Sequence, residues 1–163
     1  MRDRFRIAGF LILVAGFFIT PISAQSVEGV WRSQGYGYVF EIQGSVLKAF
    51  EVTTKTCMPG FTAKRVNDVT PGREITFKTK NKEIYFVRSS GVGDHKLLHR
   101  EESIIDIQID RISKLPALCE QPTANTPLNN FEVFTRTWAE NYISFDLRPA
   151  DWKKVAAEYR LKN

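Results

Sequence analysis

The chain has 163 residues, of which 43% are hydrophobic and 25% are charged. This composition is typical of a globular domain and excludes a disordered or low-complexity protein. The formal net charge is +5, but the lysines and arginines are spread along the chain rather than clustered, which argues against a nucleic-acid partner.

The first 24 residues have the pattern of an export signal. Arg2, Arg4 and Arg6 precede the apolar run IAGFLILVAGFFI, and PISAQ offers a cleavage site after Ala24. We therefore predict a signal peptide over residues 1–24 and an exported protein, in the periplasm or the extracellular space. Removal of residues 1–24 lowers the net charge to +3. The alternative is an uncleaved anchor, because the run approaches the lower length limit for crossing a bilayer. Contact with a membrane is expected only during export or through such an anchor.

Residues 25–112 alternate polar and apolar side chains with the period of a β-strand. Seven segments rich in Val, Ile, Phe, Tyr and Thr fit this pattern: GVWRSQ, GYVFEIQ, SVLKAFEVTT, EITFKT, EIYFVRS, KLLHRE and IIDIQIDRI. Turns are predicted at Gly44, Pro59-Gly60, Pro71-Gly72, Asn81 and Gly91-Val92-Gly93-Asp94. Seven or eight short strands without helices between them predict a mainly β fold, a small antiparallel β-barrel with a lipocalin-like meander. In the last segment, Ile105, Ile107 and Ile109 are expected on one face.

Cys57 and Cys119 are the two cysteines of the chain. In an oxidising compartment an even pair predicts a disulfide. The alternative is a pair of buried thiols. Neither cysteine belongs to a CxxC motif, so no redox or zinc site is predicted.

Residues 113–130, SKLPALCEQPTANTPLNN, form a predicted proline-rich linker. Residues 131–163 then change to a helical period, which predicts two short amphipathic helices. Asn129 and Glu132 have the spacing of a capping box for the first helix, and Asp151 is placed to cap the second. Both helices are short enough to be marginal alone, so their apolar faces need the barrel wall, a second protein or further sequence.

The segment FEVFTRTWAENYISFDLRPADWKKVAAEYR resembles the helical segment that leads into the core of carboxyl-terminal processing and tricorn-type serine peptidases. The matching residues are Phe131, Phe134, Trp138, Tyr142, Phe145, Asp146, Arg148, Asp151, Trp152, Tyr159 and Arg160. The preceding portion resembles an N-terminal β-domain of some exported members, opened by GVWRSQGYGYVFEI and closed by ISKLPALC.

The resemblance implies the N-terminal region of an exported serine peptidase, whose family activity is peptide-bond hydrolysis. The family's nucleophile lies in a later α/β core, and no segment of this chain matches it. The resemblance therefore implies a truncated helical bundle, no catalytic residue and no activity alone. Its aromatic helix faces are expected to bind a separate protease core or another protein.

A rival function depends on other residues. Gly29-Val30-Trp31 is similar to the G-x-W at the start of lipocalin-like barrels, which suggests a stand-alone module that holds a small apolar ligand. Trp31 itself is expected to be a core residue or a barrel plug rather than a ligand contact, and a barrel of this length can be filled by its own side chains. Tyr36 and Tyr38 are candidates for lining an open barrel mouth.

His95 and His99 are four residues apart on a predicted strand, about 13 Å, too far to share one metal. Asp94, His95 and a serine could form a hydrolytic triad, but no serine lies in a G-x-S-x-G sequence. No cofactor and no metal site is predicted.

Overall fold

The computed structural model describes residues 26–66, 74–91, 93–147 and 151–160. Within these ranges a closed antiparallel barrel is followed by two helices, which confirms the predicted fold class. The strands are β1 Gly29–Ser33, β2 Tyr38–Gln43, β3 Val46–Val52, β4 Cys57–Arg65, β5 Glu74–Thr79, β6 Ile84–Ser89, β7 His95–Arg100 and β8 Asp106–Ile112. The helices are α1 Pro127–Asn141 and α2 Trp152–Arg160. The predicted signal peptide with its cleavage site, the Pro71-Gly72 turn and Arg148 lie outside the described residues.

Each strand pairs with the next one in the chain, and β1 pairs with β8 to close the barrel. Alternating side chains point into the interior, which is filled by an apolar core. The core residues are Trp31, Phe40, Ile42, Leu47, Ala49, Ala63, Phe77, Tyr85, Val87, Leu98 and Ile109. Ile107 and Ile109 belong to this inward face as predicted, but Ile105 precedes β8 and is 48% exposed. No helix of the described residues is long and apolar enough to span a membrane.

Strand β4 was not among the predicted segments, because Pro59-Gly60 was interpreted as a turn. Both residues lie inside β4, at a register shift between Lys48 and Phe50 of β3. A bulge accommodates the missing N–H of proline. A Cβ on Gly60 would lie 3.2 Å from the Ala49 carbonyl oxygen, so glycine permits this close approach of the two strands.

Cys57 and Cys119 form a disulfide, with their Cα atoms 5.1 Å apart, as predicted. The bridge joins the start of β4 to a short 3-10 helix, Ala117–Glu120, in the linker. The Thr123 backbone N–H donates to the Cys57 carbonyl oxygen at 2.7 Å. The disulfide sits in a second core, outside the barrel wall, together with Val39, Phe50, Val52 and Leu115. The linker is thus fixed to the barrel.

The first helix begins at Pro127, four residues before the predicted position. Its N-cap is Thr126, whose side chain accepts a hydrogen bond from the Asn129 N–H at 3.2 Å. The predicted Asn129–Glu132 capping box is therefore wrong, because Pro127 at the first helical position sets the start of the helix. Asp151 caps α2 as predicted, through a hydrogen bond from the Lys154 N–H at 3.0 Å.

Candidate functional site

One end of the barrel is closed where the chain enters it. The Arg111 guanidinium lies over the Trp31 indole, 4.3 Å from its centroid, in a cation–π contact. Arg111 also donates to the carbonyl oxygens of Ser26 and Glu28. Gly29 has φ 129°, a backbone conformation that favours glycine, and its missing side chain leaves room for the Arg111 guanidinium. In this structure Trp31 is a fully buried core residue.

The opposite end, which we call the mouth, carries two tyrosines. Tyr38 packs against the core from β2, and Tyr85 of β6 stacks on Phe61 with ring centroids 4.2 Å apart. Burial raises the pKa of both tyrosines. Glu51 raises the pKa of Tyr38 further, and Arg100 opposes it. Both phenols therefore stay protonated at neutral pH and can donate hydrogen bonds.

The β1–β2 turn projects a tyrosine beyond the mouth. Gly35, Tyr36 and Gly37 all have positive φ, at 74°, 62° and 70°. A bulky side chain is rarely found in this left-handed region. Tyr36 is 52% exposed. A Cβ on Gly37 would lie 3.3 Å from Asn141 Nδ2, so the turn meets α1 at close range.

A cleft of about 510 Å³ lies between this turn and α1. Its lining residues are Gln34, Gly35, Tyr36, Tyr38, Thr137, Trp138, Asn141, Tyr142 and Ile143. Tyr36 and Tyr38, the predicted mouth residues, thus line a cleft whose other wall is helical. We call this the mouth cleft.

The two helices pack together through an aromatic cluster, which we define as Phe134, Trp138, Tyr142, Phe145 and Trp152. Neighbouring ring centroids in it are 4.7–6.4 Å apart, within the range of favourable aromatic pairs. The Trp152 Nε1–H donates to the Thr135 carbonyl oxygen at 2.8 Å and ties α2 to α1.

The aromatic cluster is not covered by the barrel. Helix α1 contacts β3 through a different side, where Val133 is 1% exposed and Glu140 accepts hydrogen bonds from Thr54. Phe134 remains 51% exposed and Trp138 42% exposed. The sequence analysis expected these apolar faces to need the barrel wall, a second protein or further sequence. In the structure α1 and α2 instead pack partly on each other as a helical hairpin, and part of their apolar surface stays open to solvent.

The two histidines lie on the outer face of β7, each beside an aspartate of β8. His95 Nδ1 bonds to Asp110, and His99 Nδ1 lies 3.0 Å from Asp106. Asp94, which a hydrolytic triad would place beside His95, instead forms an ion pair with Arg111 at 2.9 Å. In the part of the chain that the structure describes, no three acidic, histidine or cysteine side chains converge as metal ligands would.

Arg111, Thr137 and Asn141 were not singled out from the sequence. Each of them contacts an element that is distant in the chain, and a local sequence pattern cannot predict such a contact. Comparisons with protein-family models, with curated proteins and with solved structures find no match.

Proposed function

We propose that the chain is a non-catalytic, exported docking module, which binds a protein partner through the aromatic cluster of its helical hairpin. The observation that carries this proposal is the exposure of Phe134 and Trp138, in a cluster that already packs within itself. Exposed apolar surface of this kind marks protein interaction sites, and aromatic residues dominate the energetics of such interfaces.

The partner we propose is a serine-peptidase core, because the helical segment resembles that of carboxyl-terminal processing and tricorn-type peptidases. In this proposal the chain is the counterpart of the family's N-terminal region, delivered to the periplasm or the extracellular space after removal of residues 1–24. The disulfide is compatible with export. We expect the purified chain to cleave no peptide by itself.

A lipocalin-like function has less support. Trp31, Phe40 and Phe77 fill the barrel interior at 0–2% exposure, in the place where an enclosed apolar ligand would sit.

The docking proposal is tested with the protein from Gln25 to Asn163 and a purified serine-peptidase core of the resembled type, followed by sedimentation velocity. We expect a complex, and we expect the double variant Phe134→Ser, Trp138→Ser to bind about tenfold more weakly, the loss of about 1.4 kcal/mol.

The matched control is Leu128→Ser, which removes an equally exposed apolar side chain from α1 (53% exposed) outside the cluster. It should bind like the unchanged protein. Absence of a complex with the core, or equal weakening by the control, would contradict the proposal. Sedimentation of the chain alone shows whether a second copy covers the cluster instead, which would also contradict it.

A further inference from the structure

The lining of the mouth cleft is aromatic and uncharged. None of its nine lining residues carries a formal charge, although charged residues make up 25% of the chain. Tyr36, Trp138 and Tyr142 present rings that are 52%, 42% and 37% exposed. A charged ligand would find no ion-pair partner in this lining, so the lining favours a neutral ligand with apolar surfaces that can lie on rings.

The polar groups of the cleft narrow the class of ligand further. Asn141 donates through Nδ2 to the Thr137 carbonyl oxygen at 2.9 Å, which leaves Oδ1 as an acceptor that no described residue occupies. An amide oxygen of this kind accepts a hydrogen bond from a ligand group that donates.

The β1–β2 turn holds Tyr36 in a strained backbone conformation at the wall of the cleft. A non-glycine residue in the left-handed region costs about 1–2 kcal/mol, and such strain concentrates at ligand-binding positions. Glycine is present on both sides of Tyr36, so the turn geometry itself does not require a tyrosine.

From these observations we propose that the mouth cleft binds a neutral saccharide. A sugar ring has apolar C–H faces that lie on aromatic side chains, and its hydroxyls both donate and accept hydrogen bonds. A purely apolar ligand would leave Asn141 Oδ1 unsatisfied, and so would a proline-rich peptide, whose backbone lacks N–H donors. Trp138 and Tyr142 line the mouth cleft and also belong to the aromatic cluster, whereas Tyr36 belongs to the cleft alone.

The test is isothermal titration of the protein from Gln25 to Asn163 with three neutral trisaccharides, maltotriose, cellotriose and the fully N-acetylated chitotriose. We expect at least one to bind with a dissociation constant of about 1 mM or below. The variant Tyr36→Gly removes the ring and suits the backbone conformation, so it should fold normally and weaken binding about tenfold.

The control is Leu128→Ala, which shortens an exposed apolar side chain of α1 outside both the cleft and the aromatic cluster and should leave saccharide affinity within about twofold. The proposal is overturned if none of the sugars binds at about 10 mM, or if Tyr36→Gly and Leu128→Ala weaken binding equally. It is also overturned if a decaproline peptide binds and the sugars do not. Because Tyr36 lines the cleft and does not belong to the aromatic cluster, Tyr36→Gly should leave binding of the peptidase core unchanged, so failure of either proposal is distinguishable from failure of the other.

Discussion

At the scale of single residues, Tyr36 combines an exposed ring with an unfavourable backbone conformation, φ 62°. We expect Tyr36→Gly to raise the free energy of unfolding by about 0.5 kcal/mol. Relief of the left-handed strain exceeds the greater entropy that glycine gives the unfolded chain. Urea denaturation measures this difference. Tyr36→Ala keeps the strain and should gain nothing, so an alanine variant as stable as the glycine variant would contradict the explanation.

Asp110 gives the protein a predictable response to acid. It accepts hydrogen bonds from Gln34, His95 and Gln108, and its pKa lies below the ordinary 3.8, chiefly through the bond from Gln34. Because the folded-state pKa is the lower one, ionised Asp110 stabilises the fold above pH 3.8, and this contribution disappears as the pH falls through the folded-state value.

The variant Asp110→Asn should therefore lose less stability than the unchanged protein as the pH falls below about 4. Thermal unfolding between about pH 2 and pH 7 gives the two curves. Glu120→Gln, an exposed substitution in the linker, should parallel the unchanged protein. Identical slopes for the Asp110 variant and the unchanged protein would contradict the assignment.

At the scale of elements, the disulfide connects residues 62 positions apart in the chain. The double variant Cys57→Ser, Cys119→Ser should lose about 4 kcal/mol of stability, because the unfolded chain regains the entropy of a long open loop. Guanidinium denaturation under non-reducing conditions measures the loss, and a thiol assay on the denatured protein should find none in the unchanged chain. A loss below about 1 kcal/mol would contradict the loop-entropy explanation.

The strands and helices also show what local sequence patterns can predict. Most of the strands were recognised from alternation, because one face of each lies on the core. Strand β4 was missed because Pro59 and Gly60 are typical of turns. A β-bulge allows them inside a strand, but whether a bulge forms depends on the partner strand and not on the local sequence. The aromatic spacing predicted the two helices, but Thr126 was overlooked as the N-cap of the first.

The candidate sites were less predictable than the strands, for a physical reason. The sequence marked Tyr36 and Tyr38 through the glycines beside them. The second wall of the mouth cleft depends on where α1 docks, which is set by contacts such as Thr54 with Glu140 across 86 positions. Such contacts follow from the completed fold rather than from any segment.

At the scale of the whole molecule, the barrel and the hairpin are linked by few contacts. The barrel has its own interior core, and its hydrogen-bonded strands form a closed ring. Helix α1 adds only Val133 to the buried apolar residues. A chain from Gln25 to Asn125, which keeps both cysteines, should therefore retain the barrel and unfold cooperatively. Circular dichroism and urea denaturation test this. An unfolded or molten product would show that the hairpin is part of the folding unit.

Pairing of the first strand with the last has a consequence for the order in which the molecule forms. Hairpins between neighbouring strands can assemble as soon as both strands exist, but β1 must wait for β8 before its second edge is satisfied. Contacts between distant segments are slow to form. Cys119 comes later still in the chain, so we expect oxidation to follow closure and to lock a barrel that is already complete. A reducing environment would then prevent this last step, because both cysteines stay as thiols, while leaving the earlier steps unchanged.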